Sequence, residues 1–330
     1  MLKKVCLVTF VCAVSLFAAG KDKGLAKEKN LDDVKADSMV YDQPTEWRIF
    51  NANGPVIAFA VQRDVLWYAT ESGVSSIGIK RNDVTNYPKL GSIPSTEVTS
   101  MAVDGSGRVW IGGKNGVAYK GEKDKEFTVI TAGKGIPDNS VNAIAAGSGE
   151  VWVGTDNGAA CYQNGSWKTF TTANGMTSGK VQCVAVDSRG NAWCGTDKGI
   201  SMYDGAKWTA YNMKKGMSWN DTKAIAVDNR KNMVWAAVGE KDVNSFDGKT
   251  WSTYMEIQGG LTSIMTDSQS RIWFGSMTGL IKFNGDEWIN DPKVLGIPAA
   301  QITQMYKDDG GNLWFGMESG VLRFNNPYPF

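Results

Sequence analysis

Seven tryptophans, Trp67, Trp110, Trp152, Trp193, Trp235, Trp273 and Trp314, follow one another at steps of 43, 42, 41, 42, 38 and 41 residues. A period of this size, carried by short apolar strands and turn residues, marks a chain built from one repeated supersecondary unit. The architecture it predicts is all-β: a seven-bladed β-propeller of four-stranded antiparallel blades. Closed all-β folds of this kind run to the length of this chain, 330 residues, as one unit. The 38 glycines and an aromatic content of 11% suit many tight turns between large packed side chains.

Aligned on tryptophan, the repeats give one template, well seen after Val181: VQCVAVD, turn SRGN, AWCGT, turn DKG, ISMYDG, then AKWTAY. The four strands are called a to d in chain order. The turn from a to b is built from Asp, Gly, Ser and Asn, residues that tolerate the tight conformations of a hairpin. Strand d carries a second tryptophan in the pattern Trp-x-x-aromatic, as in Trp167 with Phe170, Trp208 with Tyr211 and Trp251 with Tyr254. Residues three apart on a strand point to opposite faces, so both faces of the sheet need to be buried. Blades packed between two neighbours meet that need. In strand b the Gly of Trp-x-Gly shares the face of its Trp and leaves room for a large side chain to approach. These tryptophans therefore read as packing residues.

The seventh repeat stops after strand c, and the matching strand d lies at the other end of the chain, in EWRIF at residues 46–50. The last blade is thus predicted to be closed by an N-terminal strand, leaving no open edge at the seam. Ahead of it, Lys3 and Lys4, an apolar run over residues 5–19 and the small residues before Lys21 read as a secretory signal over residues 1–20. The run is shorter than the roughly 20 residues of a spanning helix, so no membrane span is expected after cleavage. Residues 21–43 are densely charged and read as a solvated tether, with the propeller occupying 44–330. Such a chain is expected in the periplasm or outside the cell.

The formal charge is +1, which offers no field for nucleic acid or an anionic membrane. There is no histidine. Its absence removes the commonest general base and metal ligand, and with it Ser-His-Asp and Cys-His chemistry. The GxSxG elbow and the phosphate loop GxxxxGK are likewise missing, so neither cofactor nor metal is expected. Of the cysteines beyond the leader, Cys183 and Cys194 fall on two arms of a hairpin that sets residue 184 opposite 194. Their thiols then face opposite sides of the sheet, and both, with Cys161, read as small core residues.

In this topology the b to c and d to a loops emerge on one face, and loops on a rigid scaffold are where binding usually resides. One tryptophan, Trp219, lies outside the template, in the loop GMSWND with Asn220 and Asp221. It either stacks on a sugar ring or flat ligand or covers the top of its blade. The b to c turns add Glu71, Lys114, Asn115, Asp156, Asn157, Asp197, Lys198 and Glu318 to the same rim. They read as solvated turns or as ligand contacts. The turn at residues 308–312 lacks the span and terminal Glu of a calcium loop and reads as a hairpin turn.

VQCVAVDSRGNAWCGTDKGISMYDGAKW and ITQMYKDDGGNLWFGMESGVLRFN resemble the two-component regulator propeller repeat, and the likeness covers residues 46–330. The resemblance implies an extracytoplasmic sensory propeller, often joined to a membrane-spanning histidine kinase and often reading polysaccharide-derived ligands. A weaker likeness runs to the streptogramin lyases, whose active site is expected to use a histidine. The reading of this chain is a monomeric, non-catalytic propeller that binds a glycan-like ligand or a partner protein through the face of Trp219. Its alternative is a carboxylate-dependent lyase or glycoside hydrolase on that face, working with two converging carboxylates.

Overall fold

The computed structural model describes residues 47–52, 54–147, 149–254, 260–290, 300–308 and 310–324, with the side chains of Trp47 and residues 93–95 left aside. The proposed leader and tether lie outside the described residues. Seven four-stranded antiparallel sheets are present, and each of six follows the a-b-c-d order of the sequence template. The seventh pairs Ile302–Lys307, Leu313–Met317 and Gly320–Phe324 with Trp47–Asn51 from the start of the chain. Its register runs from Trp47 opposite Phe324 to Asn51 opposite Gly320. The N-terminal closure predicted from EWRIF is therefore the observed one.

Each hydrophobic cluster lies between two blades and not within one. The cluster of Trp152, Phe170, Val181, Cys194 and Tyr203 joins blades 3 and 4, and the cluster of Trp193, Ile200, Ile225, Val234 and Phe246 joins blades 4 and 5. The two-sided strand d explains this. Trp208 meets Trp152 of blade 3 edge-on at 6.1 Å, whereas Tyr211 lies 4.9 Å from Phe246 of blade 5. Glycines of Trp-x-Gly receive the next blade: a Cβ on Gly154 would stand 2.4 Å from Val181, and one on Gly112 2.5 Å from Val141. Val184 pairs with Cys194 and Cys183 with Gly195, so the two thiols enter different interfaces, as expected. Burial raises the Cys161 thiol to about 11 and Cys183 to about 12, and pushes Cys194 up further.

The aspartate ending strand a does more than shape a turn. Asp104 accepts from the backbone N–H groups of Ser106 at 2.9 Å and Arg108 at 3.0 Å, and from the Trp110 indole N–H at 2.8 Å. Asp267 repeats the arrangement with Gln269, Arg271 and Trp273, and Asp308 holds Trp314 at 2.9 Å. The buried indole thus finds its partner six residues upstream. Where blade 3 has Ala146 at that position, the Trp152 N–H has no partner among the described residues.

Burial alone would raise the carboxyls of Asp104 and Asp187, but the hydrogen bonds from the turn and the indole outweigh it and hold both below the ordinary value. A depressed folded-state pKa gives stability that is full above the unfolded value, about 3.9, and is lost as pH falls through the folded one. The double variant Asp104→Asn, Asp187→Asn is expected to melt below the parent at neutral pH, with the gap closing below about pH 4. Thermal denaturation at a series of pH values checks this; a gap that persists in acid would contradict it.

Six inner strands carry an irregularity the repeat template does not show. Register shifts at Thr99, Asn142, Gln182, Lys223, Thr262 and Thr303 place an extra residue at the second position of strand a. A bulge re-aims its side chain. Here the side chain turns toward the neighbouring blade: Thr99 donates to the Val141 carbonyl at 2.6 Å, Asn142 to Val181 at 2.9 Å and Thr303 to Val56 at 2.6 Å. A belt of polar contacts thus ties successive inner strands at the end where the d to a loops arrive.

Candidate functional site

The loop over residues 212–221 joins blade 4 to blade 5 and is held at both ends. Asn212 caps the short 3-10 turn Met213–Lys215, Gly216 follows at φ +99°, and Met217 is buried. Ser218 N–H then donates to Asn244 Oδ1 at 3.0 Å, and Asn244 in turn donates to Thr253 at 3.0 Å. This anchoring lifts the next residue, Trp219, onto the surface, where it is 54% exposed. Its indole lies over the b to c turn of blade 5: a Cβ on Gly239 would come within 2.9 Å of it. The indole thus covers the turn with part of its surface, while half of the side chain faces solvent.

Its two neighbours have structural employment. Asn220 Oδ1 accepts from the Met213 N–H at 2.9 Å and closes the loop. Asp221 accepts from Gln182 at 2.6 Å and pairs with Lys223 at 2.6 Å, linking blades 4 and 5. Burial raises the Asp221 carboxyl, and the hydrogen bonds from Lys223 and Gln182 with the charges of Lys223 and Lys180 more than offset it.

Glu71, Lys114, Asn115, Asp156, Asn157, Asp197, Lys198 and Glu318 all occupy exposed positions of b to c turns. The structure brings some of them into contact with the rim. Asp156 accepts from Asn142 at 2.9 Å, and this bond, with one from Ser140 and the charges of Lys114 and Lys180, lowers its pKa. Lys114, Asp156, Lys180, Asp221 and Lys223 thereby form an arc of alternating charge over blades 2 to 5. Asn115 donates to Glu97 at 2.5 Å. The Asn157 and Lys198 backbone N–H groups cap onto Thr155 and Thr196. Glu71 and Glu318 stand apart from this arc, in the turns of blades 1 and 7.

Other exposed apolar side chains were missed by sequence reasoning. Met213 in the loop of Trp219 is 51% exposed, Met277 in the b to c turn of blade 6 is 61% exposed, and Ile57 ahead of the first strand a is 36% exposed. A methionine in a turn carries no sequence signal until its neighbours are placed. In the d to a loop of blade 1, Lys89–Leu90 pairs with Ile93–Pro94, followed by the 3-10 turn Ser95–Glu97.

The opposite end of the channel has a cavity of about 600 Å³, reached by Gln62, Asp104, Ser106, Gly147 and Lys307 from blades 7, 1, 2 and 3. At that same end the environments of two carboxyls diverge. Glu150 is pushed up, first by burial and then by the charge of Asp187. Asp187 is already engaged by Arg189, Asn191 and Trp193. This pair lies away from the loop face on which the hydrolase alternative relies.

Residues 92–115 match the model of the two component regulator propeller. The chain is a seven-bladed propeller that carries this repeat. No curated protein sequence matches it. Among solved structures it is similar to the extracellular domain of BT4673 of B. thetaiotaomicron, assigned as a one-component system, with a TM-score of 0.70 at 16% identity over 86% of this chain and 40% of that one. The extracellular domain of BT3049, assigned as a hybrid two-component system of B. thetaiotaomicron, superposes with a TM-score of 0.69 at 21% identity, over 86% and 41%. The chain thus spans about two fifths of the sensor domains it matches. A catalytically inactive histidine-to-alanine variant of virginiamycin B lyase from Staphylococcus aureus, with quinupristin, superposes with a TM-score of 0.68 at 14% identity, over 85% of this chain and 99% of the lyase. At these identities the likeness is one of fold.

Proposed function

We propose that this chain is an exported, non-catalytic propeller that binds a glycan-like ligand through its d-a and b-c loop face. The observation that carries the reading is Trp219, a half-exposed indole that the blade template does not require, fixed by a hydrogen-bonded loop. A rigid aromatic plate loses little entropy on binding and offers its face to the C–H side of a sugar ring. Met213 and Met277 add exposed apolar side chains to loops that share the face of Trp219, and the arc from Lys114 to Lys223 supplies polar groups for hydroxyls. The lyase-like neighbour favours binding over turnover here: its histidine variant is inactive, and this chain has 0 His. Export is supported by the likeness to extracellular domains and by the leader read from the sequence.

Glycan screening followed by calorimetric titration tests the reading. Trp219→Ala is expected to weaken binding by roughly tenfold, about 1.4 kcal/mol, while the variant stays folded. No glycan bound by the parent, or equal binding by the variant, would sink the proposal, and capture of a protein by the same face would replace the ligand class.

A further inference from the structure

The seam that closes the ring holds a cavity with a cationic lining, on the face opposite Trp219. A cavity of about 370 Å³ lies between blades 7 and 1, lined by Arg48, Arg63, Lys80 and Arg323 with Asp64, Asp308 and Tyr306. Lys80 is answered by Asp64 at 2.8 Å, and Arg63 pairs with Glu122. Asp308 is engaged by the Trp314 indole and the Asn312 amide. That leaves Arg48 and Arg323 as the cations of the cavity that no acidic group described here pairs with directly.

Their placement is unusual for a purely structural seam. Arg48 on Trp47–Asn51 lies directly opposite Arg323 on Gly320–Phe324. Like charges directly opposite on antiparallel strands are destabilising. Arg48 reaches the neutral Asn82 side chain and lies 4.6 Å over Phe50, while Arg323 lies 5.3 Å over Trp314. Phe50 and Trp314 stack at 5.6 Å, so both guanidinium groups are set against one aromatic wall. The Arg323 Nε–H is buried and has no hydrogen-bond partner among the described residues. Two guanidinium groups side by side on one wall of the cavity, neither paired with a described carboxylate, match a tetrahedral oxyanion.

We propose that the seam binds a sulfate or phosphate group, free or carried on a small organic molecule, bridged between Arg48 and Arg323. The two arginines belong to the two ends of the chain, so the anion clamps the non-covalent closure of blade 7. Binding to the closed ring alone raises its stability by mass action. Ligand at the seam and ring closure are then coupled in both directions.

The test is calorimetric titration and thermal denaturation with sodium sulfate, sodium phosphate, glucose 6-sulfate and glucose 6-phosphate, each at an ionic strength matched with sodium chloride. The full chain is compared with Arg48→Met and Arg323→Met, which remove the like-charge pair and keep the apolar stem. A saturable heat and a saturable rise in melting temperature are expected for the parent, with affinity at least tenfold weaker in either variant. Binding of the sugar esters alone assigns an organic source, and binding of the inorganic salts as well assigns a free anion. Sulfate also stabilises proteins generally by exclusion from their surface. A rise shared equally by parent and variants, or no saturable heat with any of the four, would overturn the site. If one variant fails to fold, the other and the parent titration still decide it. Trp219→Ala is expected to leave this binding intact, which separates its failure from that of the glycan site.

Discussion

Removal of residues 1–51 is expected to abolish the folded monomer, whereas removal of residues 1–43 is expected to leave the melting temperature nearly unchanged. The first cut takes away the fourth strand of blade 7, with all five register pairs from Trp47–Phe324 to Asn51–Gly320. It also takes Phe50, 4% exposed, from its stack on the fully buried Trp314. Losing a buried Phe alone costs about 3–5 kcal/mol, against a total stability of roughly 5–15 kcal/mol for a typical domain. The strand Gly320–Phe324 would then present an unpaired edge, which invites association with other chains. Size-exclusion chromatography and calorimetry distinguish the outcomes: a monomeric 52–330 chain melting near the parent would contradict closure by the N-terminal strand. A synthetic peptide covering residues 44–55, added to the truncated chain, is expected to restore the monomer.

The blade number and the closure were legible because they depend on period and on pairing of like with like. Each strand b tryptophan packs between its own blade and the next, so one apolar pattern repeats seven times. The aspartate six residues ahead of Trp110, Trp193, Trp273 and Trp314 was equally visible as a spacing, yet its type suggested only a turn. Its second role, holding a buried indole N–H, becomes apparent once the hairpin folds the two side chains together. The bulge at Thr99, Asn142, Gln182, Lys223, Thr262 and Thr303 left a faint trace, a polar residue at the second position of an otherwise apolar strand. A period-2 reading has no place for an extra residue and so passes over it.

Sites were less legible than scaffold, for a physical reason. Trp219 could be singled out because it breaks the repeat, and the structure does expose it. Asn220 and Asp221 shared its loop and its chemistry, but they are engaged by Met213, Gln182 and Lys223, contacts made across the loop and between blades. The Arg48 and Arg323 pair joins positions 275 residues apart in the sequence, and only closure makes them neighbours.

The b to c turn supplies the other large expected effect. Gly199 has φ +124°, and a Cβ there would stand 2.2 Å from the Tyr211 carbonyl oxygen of the neighbouring strand end. Gly158 meets Phe170 O and Gly320 meets Phe50 O at 2.2 Å in the same way, at φ +130° and +156°. The turn is tied on its other side by Thr196, which donates to the Gly199 carbonyl at 2.7 Å and accepts from the Lys198 N–H at 3.1 Å. A backbone fixed from both sides cannot rotate Gly199 into a conformation that an L-residue favours. Gly199→Ala therefore combines backbone strain with a collision against main chain, and about 3 kcal/mol of lost stability is expected. That corresponds to a fall of roughly 6 °C in melting temperature for a chain of this size. Gly105→Ala provides the control, because a Cβ at Gly105 meets nothing within 4 Å. Differential scanning calorimetry of the two variants checks the contrast: equal melting temperatures would show that the turn relaxes, and that the glycine repeated in DNG, DKG, TG and SG is not a steric requirement of the blade.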